Sequence, residues 1–229
     1  GVAWYLSVQA FLYAIFPWLL AVLKKTDTRR LRCIAAAIFC AQCFFSLAIW
    51  KAGLSGKAVF YLTYLCPLFR AGDFAISCCM GCLYHSRKEE RIPYGAFSLL
   101  ELAAVLFSGG CFFIAARQVG ALGAVAFRYN VLFTPSAVLL VWLLAVGKGV
   151  ISRLLSAKPF LWLAGLSPYG FLIHQVLIRY MELAANKLGL TAHPVVWTLT
   201  VFLLTLCLSS FYKALEHRVR KRHAKAAAR

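Results

Sequence analysis

Seven apolar runs divide this chain, and the residues between them alternate between basic and nearly neutral. The runs are Trp4 to Leu23, Cys33 to Trp50, Ala58 to Tyr84, Tyr94 to Ala116, Val131 to Val146, Phe160 to Met181 and Val195 to Tyr212. A helix needs about 20 apolar residues to cross a bilayer core of about 30 Å, and most of these runs have that length. The connections KKTDTRRLR, HSRKEERIP and GKGVISRLLSAKP and the closing KALEHRVRKRHAKAAAR are rich in Lys and Arg. The connections between them hold only Lys51, Lys57, Arg117, Arg128 and Lys187. Basic loops face the cytoplasm, so the pattern predicts an all-α, polytopic transmembrane helix bundle of about seven spans. The start of the chain is expected outside and the tail in the cytoplasm of a multi-pass cell-membrane protein.

Composition supports the same class. Of the 229 residues 62% are hydrophobic and 14% charged, and the mean hydropathy is +0.78. Soluble domains run nearer 45–50% apolar and about 25% charged. The formal net charge of +18 would suit nucleic acid if it lay along one polar face. It lies instead in short clusters between apolar runs, which membrane topology explains, so no nucleic-acid partner is expected and the lipid bilayer is. A cleaved leader would not account for apolar runs that continue to the C-terminus. The nine cysteines sit inside apolar runs with no His or carboxylate among them. They read as small buried hydrophobes, and no metal site is expected.

Ionisable groups inside a membrane are costly, about 2.5–3.5 kcal/mol each on insertion scales, so those that remain are the functional candidates. Arg70 and Asp73 lie three apart in LCPLFRAGDF, a spacing that lets them pair on one helical face. Pro67 removes a backbone donor just before them, and the run is longer than one span needs. A broken or re-entrant entry into a helix is expected here, and broken backbone is tolerated only against protein or a wet cavity. The pair is either the charged wall of such a cavity or an internal ion pair that fixes packing. His174 stands in LSPYGFLIHQVLIRY with Ser167, Tyr169 and Gln175 as neighbours able to set its tautomer. Arg179 and Glu182 are near the end of their run, where snorkelling explains them. Glu101 either snorkels or accepts from a neighbouring helix. Ser7 and Gln9 are polar companions inside the first run.

Four stretches, in order, resemble the membrane-bound acyltransferase 3 family, which O-acylates sugars and other envelope molecules. WYLSVQAFLYAIFP, residues 4 to 17, is similar to its Trp-x-Leu-Ser-Val-Glu-x-x-Phe-Tyr-x-x-Phe-Pro signature. PLFRAGDFAISCCMGCLY resembles Pro-x-x-Arg-x-x-(Glu/Asp)-Phe-x-x-Gly-x-x-x-Gly. SAKPFLWLAGLSPYGFLIHQ resembles the stretch that ends Ser-Tyr-x-x-Tyr-Leu-x-His, and LEHRVRKR the closing Leu-Glu-x-Pro-x-Arg. Gln9 stands where Glu is usual, Ser77 where the first Gly is, Pro168 and Phe171 at the two Tyr positions, and Arg218 at the Pro.

The resemblance implies an enzyme. It would move an acyl group, most often acetyl, from acyl-CoA as donor substrate, with no bound cofactor, to a hydroxyl of a cell-envelope carbohydrate or lipid-linked acceptor. Arg70, Asp73 and His174 are then the catalytic candidates, and Ser7, Gln9 and Tyr169 the substrate-binding ones. The family also has further N-terminal helices with a proposed catalytic His and an Arg-rich motif, so the chain is expected to be the C-terminal part of a longer protein. Residues 1–212 would form the transmembrane acyltransferase-like domain and 213–229 a basic cytoplasmic tail. A polysaccharide or small-molecule exporter, or an inactive truncated family member, are the alternatives.

Overall fold

The structure is a computed structural model that describes residues 3–87, 93–189 and 193–227, with side chains described for 4–87, 93–189 and 193–221. The basic Lys88 and Arg91 of the HSRKEERIP connection, and the tail side chains beyond 221, fall outside that description. Every described element is helical, as an apolar solvent demands: only a helix or a closed barrel satisfies its own backbone there.

Helix α1 spans Ala3–Leu23 and α2 Thr28–Lys51. The turn between them is set by Asp27, whose carboxylate accepts the Arg30 N–H at 2.8 Å and caps α2. The third run is broken, as its sequence predicts. It comprises α3, Gly56–Phe60, then one π-helical turn, Tyr61–Leu65, then α4, Pro67–Ser86, with Cys66 extended between them. Pro67 takes the first position of α4, where a missing N–H costs nothing. Helix α5 is Tyr94–Arg117 and ends on Gln118 in the left-handed conformation. A short connector, a 3-10 turn at Ala121–Gly123 and then α6, Val125–Arg128, leads to α7, Thr134–Val146. Helix α8, Val150–Leu155, is the short helix expected in GKGVISRLLSAKP. Then follow α9, Lys158–Ala164, α10, Ser167–Leu188, and α11, Pro194–Ala227. Helix α11 runs on without interruption past residues 212 and 213, where the tail was expected to begin.

Five helices are long and apolar enough to cross a membrane, the broken Gly56–Ser86 stretch counted as one; α9 and α10, bent by 57° to each other, make a sixth if they form one span. The seventh apolar run appears as the 13-residue α7. At about 1.5 Å per residue it covers about 20 Å, short of the ~30 Å core. The molecule is thus an all-α polytopic bundle, with fewer full spans than the apolar runs suggest.

The chain forms two compact units, residues 3–154 and residues 155–227. In the first, α4 packs against α1, α2 and α7, and α5 packs against α7. In the second, α10 packs against α11. The interior carries much of the polarity: Ser46, Thr63 and Glu101 are fully buried, whereas Leu68, Phe44 and Trp18 are more than 70% exposed. That inversion is what a lipid solvent selects. Cys79 is also fully buried, packed with Leu23 and Leu31, and Cys111 is buried too, whereas Cys33, Cys40 and Cys207 are exposed on the helix surfaces, contrary to the buried role expected for them.

One buried charge decides the inner architecture of the first unit. The Glu101 carboxylate accepts the backbone N–H of Gly149 at 3.2 Å, of Ile151 at 2.8 Å and of Ser152 at 3.2 Å. It caps α8 from helix α5, satisfying N–H groups that a helix start leaves open. Ser98 adds a bond from Val150 N–H at 3.2 Å. Gly149 has no alternative: a Cβ there would meet the Glu101 carboxylate at 2.2 Å. Glu101 therefore accepts from a neighbouring segment and does not snorkel.

Candidate active site

The site is built on the break before α4. A regular helix would pair the Tyr64 carbonyl with the N–H four residues on, but α4 starts afresh at Pro67. The Arg70 Nε–H takes that carbonyl instead, at 2.9 Å. The guanidinium lies over the Tyr64 ring, 4.7 Å from its centre, a cation–π arrangement. Its Nη1–H donates to Asp73 Oδ2 at 3.1 Å. Nη2 has no hydrogen-bond partner among the described residues.

Asp73 is held from three sides. Besides Arg70, Gln42 Nε2 on α2 donates to Oδ1 at 3.0 Å and Asn130 Nδ2 donates to the same oxygen at 2.9 Å. Gln42 and Asn130 are both 6% exposed. Gln42 also donates to the Phe69 carbonyl at 3.1 Å, while its own Oε1 is buried and unpartnered. Gly72 makes the approach possible, since a Cβ there would lie 2.7 Å from Gln42 Nε2. With three donors on it, Asp73 is suited to fixing Arg70 and Asn130 in place. Removing one partner of such a set leaves the others desolvated and unpaired.

An aromatic cluster walls one side of this polar knot. Tyr64 stacks on Phe60 at 5.0 Å and meets Tyr129 at 5.6 Å and Trp4 of α1 at 4.9 Å. On the other side lies a cavity of about 480 Å³ between α4 and α7, reaching from Asp73 and Asn130 to Tyr84 and Ala145. Its walls are Ile76, Met80, Val138, Val141 and Trp142, with Ser77 and Thr134 near the polar end. Among the described residues no group of three His, Cys, Asp or Glu is placed to hold a metal ion.

The other candidates fall as follows. Arg70 and Asp73 are brought together. Gln9, on α1 of the same unit, donates to the Tyr13 hydroxyl of its own helix at 2.6 Å, and Ser7 is exposed. His174 and Tyr169 belong to the second unit. His174 Nδ1–H donates to the Gly170 carbonyl one turn back at 3.0 Å, which leaves Nε2 as acceptor. The Tyr169 hydroxyl donates to Glu216 of α11, which in turn pairs with Arg220. Arg179 pairs with Glu182 on the surface at 3.2 Å. Gln42, Asn130 and Tyr64 had no place among the sequence candidates. Gln42 left a signal, as an amide inside an apolar run; Asn130 in a connector and a backbone carbonyl left none.

The broken third run and the arginine–carboxylate pair at the head of α4 are those the sequence predicts. A family model described as an acyltransferase domain matches residues 1–213. The chain belongs to the acyltransferase 3 family. Comparison with curated proteins and with solved structures finds no match. The acyltransferase 3 match reaches from α1 into α11, so it covers the first unit of this membrane acyltransferase and the second as far as residue 213.

Proposed function

We propose that the chain transfers an acyl group from acyl-CoA to a hydroxyl of a cell-envelope carbohydrate or lipid-linked acceptor, within the membrane. The observation that carries this reading is the Arg70–Asp73 pair, fixed by Gln42 and Asn130, at the head of an apolar cavity in a chain of an acyltransferase family. In the reaction the acceptor oxygen bonds to the thioester carbonyl carbon and the carbon–sulfur bond breaks. The hydroxyl proton leaves to a base, and the departing thiolate of CoA is protonated. The products are an ester and free CoA.

Arg70 supplies the electrostatic part. Its unpaired Nη2–H groups and its fixed positive charge stabilise the negative charge that grows on the carbonyl oxygen. A donor held in place before the reaction costs no reorganisation during it. Asp73 is a positioning residue that keeps the guanidinium from turning. The resemblance assigns the base to a histidine of the family's N-terminal helices; His174 is proposed as a second proton carrier or as a ligand of the acceptor hydroxyl. Acetyl is the donor group the resemblance favours, and the basic loops set the orientation, with the start of the chain outside and the tail cytoplasmic.

The test uses labelled acetyl-CoA and membranes carrying the chain in its full natural length. Alkali-labile label in envelope material is expected, and its loss in Arg70→Ala with normal membrane insertion. Movement of an acceptor across the membrane without covalent change would favour an exporter instead, a function that broken spans also serve.

A further inference from the structure

Helix α11 carries charge into a second cleft, which lies wholly inside the unit of residues 155–227. From Pro194 to Tyr212 the helix holds no charged side chain. That stretch is about 28 Å long at about 1.5 Å per residue, close to the ~30 Å of a bilayer core. Lys213, the first charge after it, therefore stands at headgroup depth, at the end proposed to face the cytoplasm. Lys213, His217 and Arg220 share one face of the helix and, with Trp162 and Tyr169, line a cleft of about 580 Å³. Glu216 lines it too, but both its oxygens are taken, one by the Tyr169 hydroxyl and the other by Arg220. Lys213 has no such partner: it is half-buried and makes no hydrogen bond or ion pair among the described residues. Its ammonium sits in the elbow between α9 and α10, which are bent by 57° to each other. A Cβ on Gly165, the residue after α9, would lie 2.4 Å from Lys213 Nζ, so the glycine leaves the ammonium its place.

We infer that this cleft binds the phosphate of an anionic phospholipid from the adjoining leaflet, with Lys213 as its main contact, His217 and Arg220 beside it, and Trp162 against the glycerol end of the chains. An ammonium drawn half out of water without a counter-charge is unfavourable. A phosphate diester supplies that charge at the depth where the ammonium stands. Basic pockets between helices on the cytoplasmic side take lipid headgroups, and the cytoplasmic leaflet is the anionic one. Trp162, 52% exposed, has the amphipathic ring that settles at this level of a bilayer. The Tyr169–Glu216–Arg220 chain ties α11 to α10 and holds the walls of the cleft together without engaging Lys213. The site stands apart from the proposed acyl transfer; it depends on α11 crossing the membrane.

The experiment titrates the chain in its full natural length, purified in detergent, with dioleoylphosphatidylglycerol and, as the zwitterionic reference, dioleoylphosphatidylcholine. Bound lipid is read by native mass spectrometry. Phosphatidylglycerol is expected to bind about tenfold more tightly or better, as a charge-assisted contact allows. Lys213→Gln is expected to remove most of that preference. Gly165→Leu, which fills the elbow and leaves the net charge unchanged, is expected to do the same. Arg218→Gln removes an exposed cation of the same helix outside the cleft and is expected to weaken binding about fivefold at most, the share of one charge near a basic surface. An unchanged preference in either cleft variant would overturn the inference, as would a loss in Arg218→Gln as large as in Lys213→Gln, which leaves only a diffusely basic helix. Phosphatidylglycerol with brominated chains supplies a reading that needs no change at Lys213 or Gly165. It is expected to quench tryptophan fluorescence more than brominated phosphatidylcholine does, and Trp162→Phe to abolish the difference; a difference that survives would overturn the site. Displacement of phosphatidylglycerol by inorganic phosphate or by CoA would give the cleft to a soluble phosphate and overturn the lipid assignment.

Discussion

Four different devices fix Arg70: a freed carbonyl, a tyrosine face, a carboxylate and, through that carboxylate, two amides. Losing one preorganised donor to a developing oxyanion typically costs ~10²–10³ in kcat. Arg70→Ala is expected to fall by that much, and Arg70→Lys nearly as far, because an ammonium cannot serve Tyr64 O and Asp73 at once in the fork geometry. The check is single-turnover acyl transfer at matched protein level. Gly72→Ala should act through space: its methyl displaces the Gln42 amide, freeing Asp73 on one side. A partial loss of kcat with little change in KM is expected, and Gln42→Leu should reproduce it. Glu101 belongs to stability instead. Glu101→Ala strands the N–H groups of Ile151 and Ser152, each worth about 1–3 kcal/mol when unsatisfied, while Gly149 N–H keeps the Ser152 hydroxyl as acceptor at 3.1 Å. Its melting temperature in detergent should drop clearly, whereas activity per folded molecule should change far less than in Arg70→Ala.

At the scale of elements the break at Cys66–Pro67 matters most. Pro67→Ala restores an N–H and lets the π-turn and α4 join. The Tyr64 carbonyl would then pair within the helix and Arg70 would lose its Nε partner. Transfer should fall with insertion unchanged, measured on the same membranes. This break was legible in the sequence, because proline and a charged pair inside an apolar run leave few other readings. The 57° bend between α9 and α10 was not. Gly165 and Leu166 interrupt nothing in hydropathy, and Pro168 is already in the first turn of α10, where proline is at home. Helix α7 misled in length, since Phe133 and its apolar neighbours extend the run without extending the helix. The pair Arg70 and Asp73 could be found from spacing. Their holders Gln42 and Asn130 come from 31 and 57 residues away, a distance at which local pattern carries no information.

For the whole molecule the basic loops predict topology. A fluorescent protein fused after Arg229 should fold and fluoresce on the cytoplasmic side, and a glycosylation or protease tag in the Gly53–Ser55 connection should be reached only from outside. The buried Glu101 finally sets a timetable for biogenesis. Its donor Gly149 is made 48 residues later, which at ~5–20 residues per second is a wait of about two to ten seconds. During that interval the carboxylate must be served by water or by another donor at the membrane surface. Helix α5 therefore completes its seating only after α7 has emerged, and the order of synthesis becomes part of how this bundle assembles.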